Sequence, residues 1–165
     1  MKRIVFLHGL ESGPKGTKAT WLGARYGAHT PALDTSTFPA ALDGARAALR
    51  SERPDIVIGS SFGGAVAVRL MALGEWTGPA VLIAPASAKL GSDRVLPPGM
   101  RVIVLHGDAD DVVPIEDSRA LVAGAGPGVE LREIAGGDHR LNSVLEDGTL
   151  AAVLASLGAP GVRGG

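Results

Sequence analysis

Short apolar runs recur along this chain, and between them the apolar residues spread out to helical spacing. Arg3-Ile4-Val5-Phe6-Leu7, Asp55-Ile56-Val57-Ile58, Pro79-Ala80-Val81-Leu82-Ile83-Ala84-Pro85 and Arg101-Val102-Ile103-Val104-Leu105 are short and rich in branched side chains. They read as strands buried on both faces of a sheet. Val129 to Ile134 reads as a last strand. Ala28 to Leu33 is a weaker one, nearer an edge, where His29 and Pro31 are tolerated. A helix is expected from Thr17, which can cap it, to Tyr26, with Trp21, Leu22 and Arg25 spaced along it. Thr37 caps a second, in which Phe38, Leu42, Ala45, Ala48 and Leu49 fall at helical spacing. Further helical runs are Ala65 to Met71, Ile115 to Ala123 and Arg140 to Leu157. The alternation predicts an α/β fold, a three-layer α/β/α sandwich around a mainly parallel sheet of six strands. Residues 1–157 form one domain, and residues 158–165, with little to pack, are expected to form a flexible tail.

Composition narrows the function classes. A chain of 165 residues can bury roughly 70% of the surface its unfolded form exposes, enough for one sizeable core. The net charge is −1 and no basic stretch stands out, so nucleic-acid binding has no electrostatic support. Without cysteine there is no disulfide, thiolate chemistry or cysteine-bound metal. Lys2-Arg3 precedes too short an apolar run for a signal peptide, and nothing approaches membrane-spanning length. A cytoplasmic protein with no membrane partner is expected.

The chemistry gathers where strands end. Gly59-Ser60-Ser61-Phe62-Gly63 follows a strand and opens a helical run, the context in which G-x-S-x-G forms a nucleophile elbow. The chain must reverse within about four residues, and side chains at Gly59 or Gly63 would collide with the neighbouring strand and helix. Ser61 is thereby presented at the amino end of a helix, where free N–H groups favour negative charge. The plainer alternative has Ser61 only capping that helix. The glycine-rich loop His8 to Gly16 also follows a strand, but Lys15 lies between Pro14 and Gly16 rather than in the Gly-Lys-Ser/Thr ending of a phosphate loop.

His8, Ser61, Asp110 and His139 each fall just after a strand, so a parallel sheet can bring all four to one edge. A serine hydroxyl needs a base during attack, an imidazole suits that task near neutrality, and a carboxylate fixes the imidazole tautomer. Asp108 and Asp111 crowd the acid position. Asp138 reads as a turn residue, His8 and His106 as loop-shaping hydrogen-bonders, and His29, Trp21 and Trp76 as structural. The four histidines lack metal-ligand spacing.

These motifs together resemble those of a small, lidless α/β-hydrolase, similar to the YqiA-like bacterial esterases. Leu7-His8-Gly9 resembles the oxyanion loop of that fold and Gly59 to Gly63 its elbow. His106-Gly107-Asp108-Ala109-Asp110-Asp111-Val112-Val113-Pro114 resembles its H-G-x-x-D-x-x-V-P acid loop, and Gly137-Asp138-His139 its base loop. The chain order Ser61, Asp110, His139 is the order expected of the fold. The resemblance implies Ser61 as nucleophile, His139 as base, Asp110 as acid, and the backbone N–H groups of Leu10 and Phe62 as oxyanion hole. Glu11 and Ser12, which follow the oxyanion residue, are candidates to line the substrate site, with a solvated loop as the equal alternative.

One departure is size. The two strands that usually open the fold are absent, so Ile4–Leu7 would correspond to its third. Only Pro85 to Met100 separate the third and fourth of the strong strands, too few for a lid beside a crossover of about 10–12 residues. The implied activity is hydrolysis of carboxylic esters with short or exposed acyl groups, on a small-molecule substrate and without a cofactor or metal. The alternatives are a thioesterase or deacylase acting on a larger acylated molecule, a peptidase, and a non-catalytic binding protein of the same fold. Dehalogenase chemistry is disfavoured because it needs a carboxylate at position 61.

Overall fold

The computed structural model of the chain describes residues 1–91 and 93–161. Its five strands are β1 (Ile4–Leu7), β2 (Ile56–Ser60), β3 (Ala80–Ile83), β4 (Val102–Gly107) and β5 (Val129–Ile134). They form one sheet in sequence order, every neighbouring pair parallel. The helices are α1 (Thr17–Tyr26), α2 (Phe38–Glu52), α3 (Phe62–Ala72), α4 (Ile115–Ala123), α5 (Ser143–Glu146) and α6 (Thr149–Ser156). None among the described residues is long and apolar enough to cross a membrane.

The register sets Val5, Val57, Ala80, Val102 and Val129 side by side across the sheet. Side chains alternate between faces, so these residues, with Leu7, Leu82 and Val104, meet α2, α3 and α4 in one core. Ile4, Phe6, Ile56, Ile58, Val81, Ile83, Ile103 and Leu105 meet α1, α5 and α6 in the other. The division follows from handedness: right-handed crossovers that always step the same way along a sheet all lie on the same face. The opposite face is left for α1 and the last two helices. The connection from β3 to β4 has no helix among the described residues. Its Leu96 and Met100 are buried in the core that α2, α3 and α4 cover.

Two expectations are corrected. The strand over Ala28–Leu33 shrinks to one bridge, so the sheet has five strands and not six. The N–H of His29 donates to Ile4 O and its carbonyl receives the N–H of Phe6, both at 2.9 Å. Pro31, with no N–H to give, ends the pairing two residues later. The single helix expected from Arg140 to Leu157 is two. Gly148 leaves the helix at φ +85°, and the Asp147 carboxylate accepts the Thr149 N–H at 2.8 Å, starting the next.

At the helix starts, Thr37 caps α2, accepting the Ala40 N–H at 3.1 Å. Thr17 is already the first residue of α1, and its cap position is Gly16. Of the expected tail, residues 162–165 lie outside the described residues, and Ala159 is buried in the core beneath α6.

Candidate active site

Ser61 sits between β2 and α3 at φ +53°, ψ −114°, a conformation side-chain-bearing residues rarely adopt. The surroundings hold it there. Its N–H donates to Ile83 O at 2.9 Å, and its carbonyl accepts from Ala65 and Ala86, each at 3.0 Å. The flanking glycines are required by contact. A Cβ on Gly59 would lie 2.6 Å from the Gly63 carbonyl oxygen, and one on Gly63 would overlap the Leu7 and His8 carbonyls. Although Ser61 occupies the cap position of α3, its side chain makes no capping hydrogen bond. The hydroxyl meets His139 Nε2 at 2.9 Å instead.

On the far side of that imidazole, Nδ1 lies 2.9 Å from Asp110 Oδ2. A carboxylate only accepts, so Nδ1 carries the proton and Nε2 is left to accept from the Ser61 hydroxyl. Asp110 Oδ1 receives the N–H groups of Val112 and Val113, both at 2.8 Å. Burial by itself pushes this carboxyl up. The hydrogen bonds from His139, Val113 and Val112, with the imidazole charge, outweigh it and hold the group below the ordinary carboxylate range. The acid and base loops are packed backbone to backbone, since a Cβ on Gly107 would overlap the carbonyl of Gly137. His139 remains 20% exposed, which leaves the imidazole reachable from outside.

His106, fully buried, stands behind Asp110. Its Nε2 lies 2.9 Å from the Val113 carbonyl and 3.1 Å from Asp110 Oδ2. Both neighbours only accept, so Nε2 carries the proton and is shared between them, while Nδ1 meets Ser118 Oγ at 2.7 Å. Reading His106 as a loop-shaper overlooked this contact with the carboxylate. The available signal was a polar residue that extends a fully buried strand, four positions before Asp110.

His8 performs a different task. Its Nε2 accepts the Leu33 N–H at 3.1 Å, so Nδ1 is the donor to Gly9 O at 2.8 Å. A trans peptide is planar, with its C=O and N–H opposed. Fixing the Gly9 carbonyl therefore fixes the Leu10 N–H in the opposite direction. That N–H makes no hydrogen bond to another described residue. Phe62 is the first residue of α3, so its N–H has no acceptor within the helix. Gly9 lies against the serine, a Cβ there falling 3.4 Å from Ser61 Cβ.

A cavity of about 300 Å3 opens at Ser61 and His139. Leu10, Glu11, Ser12, Lys18, Arg140 and Asn142 are among the residues of its wall. Phe62 is not in its wall, its ring packing edge-on against Phe38. Of the other carboxylates, Asp108 accepts the Gly136 N–H at 2.7 Å and Asp138 the Leu141 N–H at 2.9 Å. Asp110 is the carboxylate on the imidazole.

This arrangement can pass a proton from a hydroxyl to an imidazole whose orientation a buried carboxylate fixes. The model of the uncharacterised protein family UPF0227 matches residues 3–92. No curated protein matches the chain. Several solved structures share its architecture. Est1E from Butyrivibrio proteoclasticus is 17% identical, with a TM-score of 0.75 over 96% of this chain and 88% of that one. XC6422 from Xanthomonas campestris, described as an α/β serine hydrolase without lid, is 19% identical, with a TM-score of 0.70 over 93% and 81%. The esterase domain of a Rhodothermus marinus protein is 19% identical, with a TM-score of 0.67 over 94% and 86%. At such identities the likeness establishes the fold, an α/β-hydrolase fold without a lid.

Proposed function

The chain belongs to the uncharacterised protein family UPF0227, and from that premise we propose that it is a serine hydrolase cleaving carboxylic esters with short or solvent-exposed acyl groups. The observation that carries this reading is the line from Ser61 Oγ through His139 to Asp110, both links 2.9 Å. Ser61 attacks the ester carbonyl while His139 Nε2 takes its proton, and Asp110 steadies the imidazolium. The Leu10 and Phe62 N–H groups receive the oxyanion, where one donor is typically worth about 3 kcal/mol. The tetrahedral intermediate collapses, His139 protonates the departing alcohol, and an acyl-Ser61 ester remains. Water, activated by the same imidazole, then releases the acid and restores the serine.

The limit on acyl length rests on the cavity, which is at the small end for ligand sites. A thioester would pass through the same steps. The partly exposed His139, with no described residue of 84–101 in the cavity wall, leaves room for a larger acylated molecule to stay outside.

The deciding experiment is hydrolysis of 4-nitrophenyl acetate by the wild type and by Ser61→Ala. The variant should lose at least about a thousandfold in kcat, and a serine-directed phosphonate should label the wild type at Ser61. Equal activity in both proteins would mean another nucleophile. An inactive wild type that takes no label would point to a binding protein of the same fold.

A further inference from the structure

Lys18 is out of place on every count but one. It lies in the first turn of α1, the end at which the helix dipole disfavours a cation. It is half-buried and no carboxylate among the described residues lies within ion-pairing distance of its ammonium. Nζ donates one hydrogen bond, to Asn142 Oδ1 at 3.0 Å, which leaves two donors uncommitted. Burial lowers its pKa to about 8, Asp138 opposing the shift and Arg140 adding to it. Buried charges are ordinarily paired. The one circumstance that accounts for this position is the cavity, whose wall contains Lys18 and Asn142 together with Ser61 and His139.

The other charges of the wall do not supply a partner. Arg140 and Glu11 face each other at 4.0 Å with side chains 75% and 89% exposed, so the rim pair offsets itself in solvent. Asp138 acts on Lys18 only from beyond ion-pairing distance, so Lys18 remains the charge of the cavity wall without a contacting counter-ion. Resting on the serine-hydrolase reading above, we propose that the Lys18–Asn142 corner is an anion subsite, and that the preferred substrates are esters bearing a carboxylate. The carboxylate of the bound ester is the contacting counter-ion that no carboxylate among the described residues provides. Asn142 holds the ammonium in place while Nζ donates its two remaining hydrogens to it.

The test compares two pairs of esters. 4-Nitrophenyl hydrogen adipate against methyl 4-nitrophenyl adipate places the charge on the acyl side. 4-Acetoxybenzoate against its methyl ester places it on the leaving group. At pH 7 at least one charged ester should exceed its neutral partner about tenfold in kcat/KM, mainly through KM. The pair that does so identifies the side on which the subsite lies. The ratio should collapse in Lys18→Met and survive in part in Lys18→Arg. In the wild type it should fall as pH rises through about 8, since kcat/KM follows the free enzyme. His139 serves both members of a pair, so its own titration cancels from the ratio.

A ratio near one for both pairs, or a preference that persists in Lys18→Met, overturns the proposal. Binding to Ser61→Ala, followed by NMR with methyl hydrogen adipate against dimethyl adipate and with 4-acetoxybenzoate against its methyl ester, separates this proposal from the hydrolase reading. Selective binding of the charged ester that disappears when Lys18→Met is added supports the subsite even if the wild type hydrolyses nothing. Hydrolysis of neutral esters without selective binding in either pair removes the subsite alone.

Discussion

Both oxygens of Asp110 are engaged, Oδ1 by two backbone N–H groups and Oδ2 by two imidazoles. Its carboxyl titrates below the unfolded value, so its contribution to stability is complete above about pH 4 and is lost as pH falls through the folded pKa. Asp110→Asn should therefore unfold at lower urea than the wild type at pH 7, with the gap closing toward pH 2. The same variant should lose about 10³–10⁴ in kcat, because an amide cannot fix the imidazole tautomer. His106→Phe removes one donor to Oδ2 while keeping a flat aromatic ring at the position. We expect kcat to fall about tenfold at unchanged KM, and a loss of about 1–3 kcal/mol from the stranded Val113 carbonyl and Ser118 hydroxyl. His106→Gln, which returns an N–H near Nε2, should recover most of kcat; a variant that recovers stability but not kcat would deny His106 a positioning role. The partners of Ser61 could be narrowed from strand ends in the sequence, but the partner of Lys18 could not. A lysine in a first helical turn is unremarkable in a string of letters, and only burial beside a cavity makes it conspicuous.

Elements explain which glycines matter. A Cβ on Gly63 would occupy the space of the Leu7 carbonyl, which belongs to β1 and cannot step aside without breaking the sheet. Gly63→Ala should cost more than about 2 kcal/mol in urea unfolding. Gly13→Ala, with nothing within 4 Å of its Cβ, should stay within about 0.5 kcal/mol of the wild type. The crowding at Gly59 and Gly63 was legible because strand, serine and helix adjoin in sequence. The contact of Gly107 with Gly137 was not, since nothing local states that the acid and base loops touch. The lost sixth strand and the split last helix share a cause. Apolar periodicity extends across Pro31 and Gly148, but the backbone at each obeys its own residue.

At the scale of the molecule, the β3–β4 connection buries Leu96 and Met100 in the core of the α2, α3 and α4 face, and none of its described residues lines the cavity. Among the described residues, nothing in that connection is held over the site to swing open at a lipid surface. Across 4-nitrophenyl esters from acetate to dodecanoate, kcat/KM should be highest at short chains. The rate should show no step at the concentration where the longer esters form micelles. A preference for dodecanoate would overturn the open-site description.

Strands that stand in the sheet in the order of the chain also set a timetable for synthesis. Each strand from β2 onward meets a neighbour already made, so the sheet can grow as the chain leaves the ribosome. By the time β3 has joined, Ser61 and the Leu10 loop can already occupy their places. Asp110 follows β4, and His139 follows β5, the last strand of the sheet. A nascent chain therefore carries Ser61 long before it carries His139, and the line from Ser61 through His139 to Asp110 cannot form until the last strand of the sheet has been made.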